Sequence, residues 1–362
     1  MPRIDASYSP RGQRRAGRGS PPPRVAAPNA LRVCWWLAAA LLAGCATLSR
    51  APGPISPLAF PFEGPGRLVT IWRVEVPGGG LESQLVVYDA DGARRIPIGG
   101  AVGARWLDSG TLLVSLEVES EDPAVWGLTE IVALQVDESR LVRLAAPRRY
   151  YDFEVSPDRT WLAIGVDVND QGDSDLEIWY LGESPQVVAS RREALDAPRW
   201  SPDGVELIVS RALQDPDAET SDTSVSVGGV GLAWPRLFRL RRDLGTALRP
   251  VPDGDGAGRL IDGGSLPLWW DAAGIWARQR RGLVRCDPGG EGCDLVYSPG
   301  EGRRVLEGRR VGADEALLLV MEVESRERLA TEVHRVSLAP GQGSVVFQLP
   351  PGSHLSGLDW TP

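Results

Sequence analysis

The stretch DVNDQGDSDLE, Asp167–Glu177, places Asp167, Asn169 and Gln171 at alternating positions ahead of Gly172. Oxygen donors at that spacing before a turn-forming glycine are what a loop folding around a calcium ion needs. The closing position of such a loop falls on Ile178, which offers no oxygen, so Asp173 or Asp175 would have to supply the last carboxylate. The competing reading is an Asp- and Gly-rich turn between two strands. Other chemistry-bearing side chains are sparse. The only two histidines are His334, in a run that reads as a strand, and His354, in what reads as a polar turn. That is too few for a His-built metal site. No G-x-S-x-G nucleophile elbow occurs. Cys286 and Cys293 flank DPGGEG, and the β runs Gly282–Cys286 and Cys293–Tyr297 would form a hairpin that a disulfide could close in an oxidising compartment. A lone pair of cysteines is a poor zinc site. The 48 Asp and Glu residues leave chemistry by carboxylates alone open.

The other two cysteines lie near the N-terminus. An Arg- and Pro-rich leader ends at Arg32, and VCWWLAAALLAGC follows, Val33–Cys45. The apolar run is about 12 residues, too short to span a bilayer and right for a signal-peptide core. Its end, Leu42-Ala43-Gly44-Cys45, resembles the lipobox of bacterial lipoproteins. That resemblance implies cleavage between Gly44 and Cys45 and acylation of the Cys45 thiol. More than one acyl chain suffices for stable membrane anchoring. Ala46, rather than Asp, follows the cysteine, which by the family's sorting rule implies an outer membrane where the cell has two. Five prolines between Ala46 and Gly66 make an extended tether. The division expected is therefore a signal peptide at 1–44, a lipidated cysteine and tether at 45–66, and one domain at 67–362. The full chain of 362 residues carries −9; without the seven arginines and one acid of 1–44 the remainder carries about −15. A body so acidic repels nucleic acid and anionic lipid surfaces.

The elements that must position any site are short strands. APRWSPDGVELIVS, Ala197–Ser210, sets an aromatic before a Ser-Pro-Asp-Gly turn, with an apolar strand after it. Pro fixes φ, Asp bonds back to the backbone and Gly accepts positive φ. Related units occur at Tyr151–Asp167, Gly103–Glu117, Leu266–Gln279 and Glu307–Val323, and the chain ends on half a unit, Leu355–Pro362. With Trp106, Val155, Trp200, Trp270, Val311 and Trp360 as anchors, the spacings are 49, 45, 70, 41 and 49 residues. A period of that size, with two further β runs after each unit, predicts blades of four strands. Trp200-Ser201-Pro202-Asp203-Gly204 resembles the TolB-type propeller repeat. The fold expected is all-β: a single six-bladed β-propeller, closed by pairing of the C-terminal strand with Arg67–Glu75. An irregular β-sandwich is the competing fold.

The long interval after Trp200 holds an insertion, Leu213–Pro235, with Asp215, Asp217, Glu219, Asp222 and Trp234 as candidate partner contacts. Long loops in compact domains are commonly functional. The function expected is a lipid-anchored envelope scaffold that binds a protein or ligand, without catalysis and without a cofactor unless Ca²⁺ binds. The alternative is a carboxylate-dependent enzyme acting on envelope glycans or peptides.

Overall fold

The computed structural model describes residues 66–362 except 120–126, 168–173, 193–194, 212–224, 228–229, 233–235, 243–247, 251–259, 262–263, 280–281, 290–291, 324–328 and 340–342. Every regular element among the described residues is a strand. Runs such as Leu112–Val114 and Leu317–Val320 are apolar on consecutive positions, because sheets packed on both faces bury both sides of a strand.

In chain order the first three strands are β1 (Arg67–Glu75), β2 (Leu81–Asp89) and β3 (Gly92–Ile96). Blade 2 is β4 (Ala101–Trp106), β5 (Thr111–Glu117), β6 (Thr129–Gln135) and β7 (Arg140–Arg143). Blade 3 is β8 (Tyr150–Val155), β9 (Trp161–Asp167), β10 (Ser174–Tyr180) and β11 (Gln186–Arg192). Blade 4 opens with β12 (Leu195–Trp200) and β13 (Glu206–Arg211). A separate hairpin, β14 (Val225–Val227) with β15 (Val230–Leu232), lies within the insertion. Blade 4 then resumes with β16 (Arg236–Arg242), which pairs with both β17 (Leu248–Pro250) and β18 (Leu260–Ile261). Blade 5 is β19 (Leu266–Asp271), β20 (Gly274–Gln279), β21 (Gly282–Cys286) and β22 (Cys293–Tyr297). Blade 6 is β23 (Arg303–Arg310), β24 (Glu315–Glu322), β25 (Glu332–Ser337) and β26 (Gly343–Gln348). The last strand, β27 (Ser353–Thr361), pairs antiparallel with β1 and completes blade 1.

The innermost strands β27, β4, β8, β12, β19 and β23 contact one another in that order, and β23 returns to β27. The ring is a closed six-bladed β-propeller. Its core is six apolar wedges, one between each neighbouring pair of blades; Val69, Leu85, Trp106 and Leu112, for example, fill the wedge between blades 1 and 2. The anchors Trp106, Trp200 and Trp270 each sit in the wedge with the preceding blade. In blade 6 the expected anchor moves by one residue. Val311 N bonds Glu315 O as Ser201 N bonds Glu206 O, so Arg310, not Val311, stands where four of the other units carry Trp and blade 3 carries Val155.

The turn chemistry is explicit in blade 4. Ser201 Oγ donates to Asp203 Oδ1 at 2.6 Å and accepts Glu206 N at 2.8 Å; Asp203 Oδ1 also accepts Val205 N at 3.0 Å. Gly204 closes the turn at φ 69°. Blade 3 repeats the pattern with Ser156 and Asp158, but Arg159 occupies the left-handed position at φ 61°. A left-handed L-residue costs about 1–2 kcal/mol, against roughly 0.5–1 kcal/mol for the greater freedom glycine loses on folding. Arg159→Gly is therefore expected to raise stability by up to about 1 kcal/mol, and Gly204→Arg to lower it by a similar amount, read from urea midpoints at unchanged m. Destabilisation by Arg159→Gly would contradict this reading of the turn.

Candidate functional site

The residue just before each anchor position sits at the same place on each of the six innermost strands; five are charged and meet at the channel, and the sixth, Trp269, packs into the wedge between blades 5 and 6. Around the ring these residues are Arg105, Glu154, Arg199, Trp269, Arg309 and Asp359. Positive and negative charges alternate except at Trp269, whose ring stacks on Trp276 at 5.3 Å.

These groups make a circuit that links every neighbouring pair of blades. Asp359 Oδ2 accepts the Trp106 N–H at 2.8 Å, joining blades 1 and 2. Arg105 reaches Asp152 and Glu154 of blade 3, each at 3.2 Å. Arg199 of blade 4 donates to Asp152 Oδ2 at 3.0 Å and, through Nε, to the Leu268 carbonyl of blade 5 at 2.7 Å. Arg309 of blade 6 donates to that same carbonyl at 2.5 Å and to Asp359 Oδ1 at 2.8 Å. Arg309 also crosses the channel to Glu154 Oε2, on the opposite strand of the ring, at 2.9 Å. The side chains are arginines for a physical reason: a guanidinium presents several N–H donors in a fixed fork and can serve two or three acceptors at once.

A second regularity lies next to this layer. Each of the six inner strands breaks register with its neighbour close to its start, between Ala101 and Gly103, Tyr150 and Phe153, Asp196 and Arg199, Pro267 and Trp269, Val305 and Glu307, and Leu355 and Gly357. A bulge inserts an unpaired residue and re-aims side chains. Here the additional residues include Val102, Leu268, Leu306 and Ser356, all of which line a cavity of 460 Å³ at the end of the channel where the inner strands begin. The bulge also takes Leu268 out of ladder pairing, which leaves its carbonyl open to both arginines. The cavity thus has aromatic and apolar walls, with Tyr151 and Phe153 among them, and a charged floor.

Electrostatics fixes the charge state of that floor. Burial pushes the Asp152 carboxyl up, but Arg199, Arg105 and Arg309 outweigh it and hold the group below the ordinary carboxylate range. Burial disfavours charge on Arg105, yet Glu307, Asp152, Glu154 and Asp359 together drive its pKa upward. Arg199 moves the same way, with Asp152 and Glu154 overcoming burial.

The sites expected from sequence fall differently. Gly44 and Cys45 lie outside the described residues, as do Asn169, Gln171 and Asp173, and Asp215, Asp217, Glu219, Asp222 and Trp234. Asp167 ends β9 with its carboxylate 3.5 Å from Arg149 Nη1, and Asp175 stands opposite Arg192 in β10. Among the described residues no group of three or more His, Cys, Asp and Glu is placed to hold a metal ion. The strand ends that bound the two flagged segments, Asp167 with Ser174 and Arg211 with Arg236, are both on the mouth side, since Val166 pairs with Tyr150 and Arg211 with Leu195. Cys286 and Cys293 are joined by a disulfide at the opposite side of the ring. His334 is buried in β25, between Tyr297 Oη at 2.5 Å and Glu332 Oε2 at 2.8 Å. His354 belongs to β27 rather than to a polar turn, because closing the ring draws Ser353–Thr361 into a strand.

The charged circuit went unnoticed in sequence, though its signal is there: a charged residue directly before the anchor position in five of the six units, as in Arg105-Trp106, Arg199-Trp200 and Asp359-Trp360.

The fold and this floored channel define the class, a six-bladed β-propeller. No protein-family model matches the chain, and no curated protein matches it. Among solved structures, it is similar to the TolB-type protein of Agrobacterium tumefaciens, with 13% identity, 82% of this chain and 99% of that chain covered, and a TM-score of 0.49. It is also similar to oligogalacturonate lyase of Vibrio parahaemolyticus (13% identity, 80% and 75% covered, TM-score 0.41). A third is Pyrococcus horikoshii acylaminoacyl peptidase (9% identity, 78% and 51% covered, TM-score 0.44). The blade count rests on the strand pairing of this chain, and function has to be argued from its own site.

Asp152 provides a pH test. Its folded-state pKa lies below the unfolded one, so the stability it contributes is complete above the unfolded carboxylate value, about 3.9, and is lost as pH falls through the folded value. Below about pH 4 the unfolding free energy of the wild type should drop more steeply than that of Asp152→Asn. Equal slopes would show that the arginines do not hold this carboxylate down.

Proposed function

We propose that the protein is a lipid-anchored binding module of a bacterial cell envelope, whose ligand or protein partner seats in the channel mouth and is not chemically changed there. The observation that carries this reading is the pairing of six in-register bulges with the charged floor beneath them. Residues of five of the bulges line the cavity at one end of the channel, and the charged floor lies beneath them. A concave, mostly apolar cavity with a few fixed polar groups is the common form of a binding site. Each floor carboxylate lies within 3.2 Å of an arginine, and Asp152 is held ionised; groups pinned in this way suit fixing a shape and a field rather than shuttling protons.

The lipobox at Leu42–Cys45 and the proline-rich tether support an envelope location. The insertion after β13 leaves its strand on the mouth side, which supports a part for that segment in contacting a protein partner.

Crosslinking in living cells followed by mass spectrometry tests both parts. The expected result is a reproducible partner, lost when 213–235 is deleted or when Val102→Trp fills the mouth, with Cys45→Ser releasing the protein from membranes. Turnover of an envelope glycan or peptide would contradict the non-catalytic reading. Membrane retention of Cys45→Ser with no acyl label would contradict the anchor.

A further inference from the structure

The outer layer of the floor, the one nearest the mouth, differs in character from the inner one. Two residues before Glu154 stands Asp152, and two before Arg309 stands Glu307, on strands that lie opposite each other in the ring. Both carboxylates come to the same guanidinium, with Arg105 Nη2 at 3.2 Å from Asp152 and 3.0 Å from Glu307. Two residues before Arg105 and Asp359 stand Gly103 and Gly357. Gly357 lies beside Glu307; a Cβ there would be in ordinary van der Waals contact with Oε2, at 3.6 Å.

Charge does not balance here. Arg105, Arg199 and Arg309 face Asp152, Glu154, Glu307 and Asp359, which leaves one carboxylate in excess. At the rim, Glu117 and Arg73 add one charge of each sign. The geometry is unfinished at the same place. Glu307 Oε1 is buried and has no hydrogen-bond donor, because Arg105 Nη2 approaches it at an angle that forms none. A buried ionised acceptor without a donor is costly. Oε1 itself has no open surface, so the 14% of the Glu307 side chain that stays exposed presents the carboxylate through Oε2.

Resting on the reading of the mouth as a binding site, we propose that it takes a cationic group of a peptide, either a lysine or arginine side chain or the amino terminus, with the charged N–H seated on Glu307. One positive charge brings the layer to neutrality, and its donor meets the carboxylate through Oε2, the oxygen beside Gly357. The walls fit the rest of such a group. Val102, Leu306 and Leu266 offer apolar surface for an aliphatic stem, and Tyr151 and Phe153 offer ring faces.

The test uses the full chain in detergent, immobilised, with pentapeptide pools of randomised flanks. The pools are capped with central Lys, capped with central Arg, uncapped with central norleucine, capped with central norleucine, and capped with central Glu. Retention is read by mass spectrometry. At least one cationic pool should be held tenfold or more over capped norleucine, and which one separates a side chain from an amino terminus. Glu307→Gln should cut that retention about tenfold, and Val102→Trp should abolish it. If Glu307→Gln melts early, Glu307→Asp replaces it and should still cut retention, because the carboxylate withdraws by one methylene. Equal retention of the norleucine or Glu pool, abolished by Val102→Trp, would keep the binding site and overturn its cation preference. Retention indifferent to both Glu307 variants would also overturn that preference. No retention of any pool would overturn both.

Discussion

The carbonyl of Leu268 is the point on which the channel turns. It accepts Arg199 Nε from one side and Arg309 Nη1 from the other, and it does so at the one place in the ring where the repeating position carries no charge. Without it the alternation of guanidinium and carboxylate would break at blade 5. With it, every neighbouring pair of the six blades is linked, and the Arg309–Glu154 pair spans the ring. A buried polar network of this kind is favourable only when its members are satisfied, since each unpaired charge adds a desolvation cost. The apolar wedges supply the bulk of the burial, while the circuit links the inner strands of neighbouring blades.

The bulges and the circuit depend on each other. The break in register at Pro267–Trp269 is what releases the Leu268 carbonyl, and the breaks in blades 1, 2, 3 and 6 place Ser356, Val102, Tyr151 and Leu306 in the wall of the mouth. The opposite side of the ring is built differently. It carries the Ser-Pro-Asp turns and the Cys286–Cys293 disulfide, whose loop is tied to blade 4 by Arg239 donating to the Pro288 carbonyl at 2.5 Å. One side is thus made of locally satisfied turns. The other keeps an unmet acceptor, Glu307 Oε1, and the ends of the strands that lead into the insertion.

Much of the fold was legible because it is written in local chemistry. Trp200-Ser201-Pro202-Asp203-Gly204 names its turn and its inward aromatic, and Trp360 so near the chain end points to a half-blade in need of a partner. The strands at Arg67–Glu75, Gly282–Cys286 and Cys293–Tyr297 fall where the patterning put them. The blade 6 anchor slipped by one because Arg310 replaces the aromatic there. The candidate site was much less legible. Ser201 and Asp203 draw the eye, yet their hydrogen bonds close a turn. The residues that make the floor are far apart in sequence; Arg309 and Glu154 are separated by 155 positions. Only the repeated place of a charge before each anchor hints at them. Pro198 and Pro267 inside inner strands are a second hint, since proline within a sheet favours edges and bulges.

The central claim is that charge pairing across the channel ties the blades together and floors the mouth. A double-mutant cycle between Arg309→Met and Glu154→Leu tests it most directly, because these residues belong to blades on opposite sides of the ring and meet only if the floor is closed. The account predicts that the two substitutions are coupled by about 2 kcal/mol in unfolding free energy. Additivity to within about 0.5 kcal/mol would mean that the pair does not act across the channel, and would contradict it.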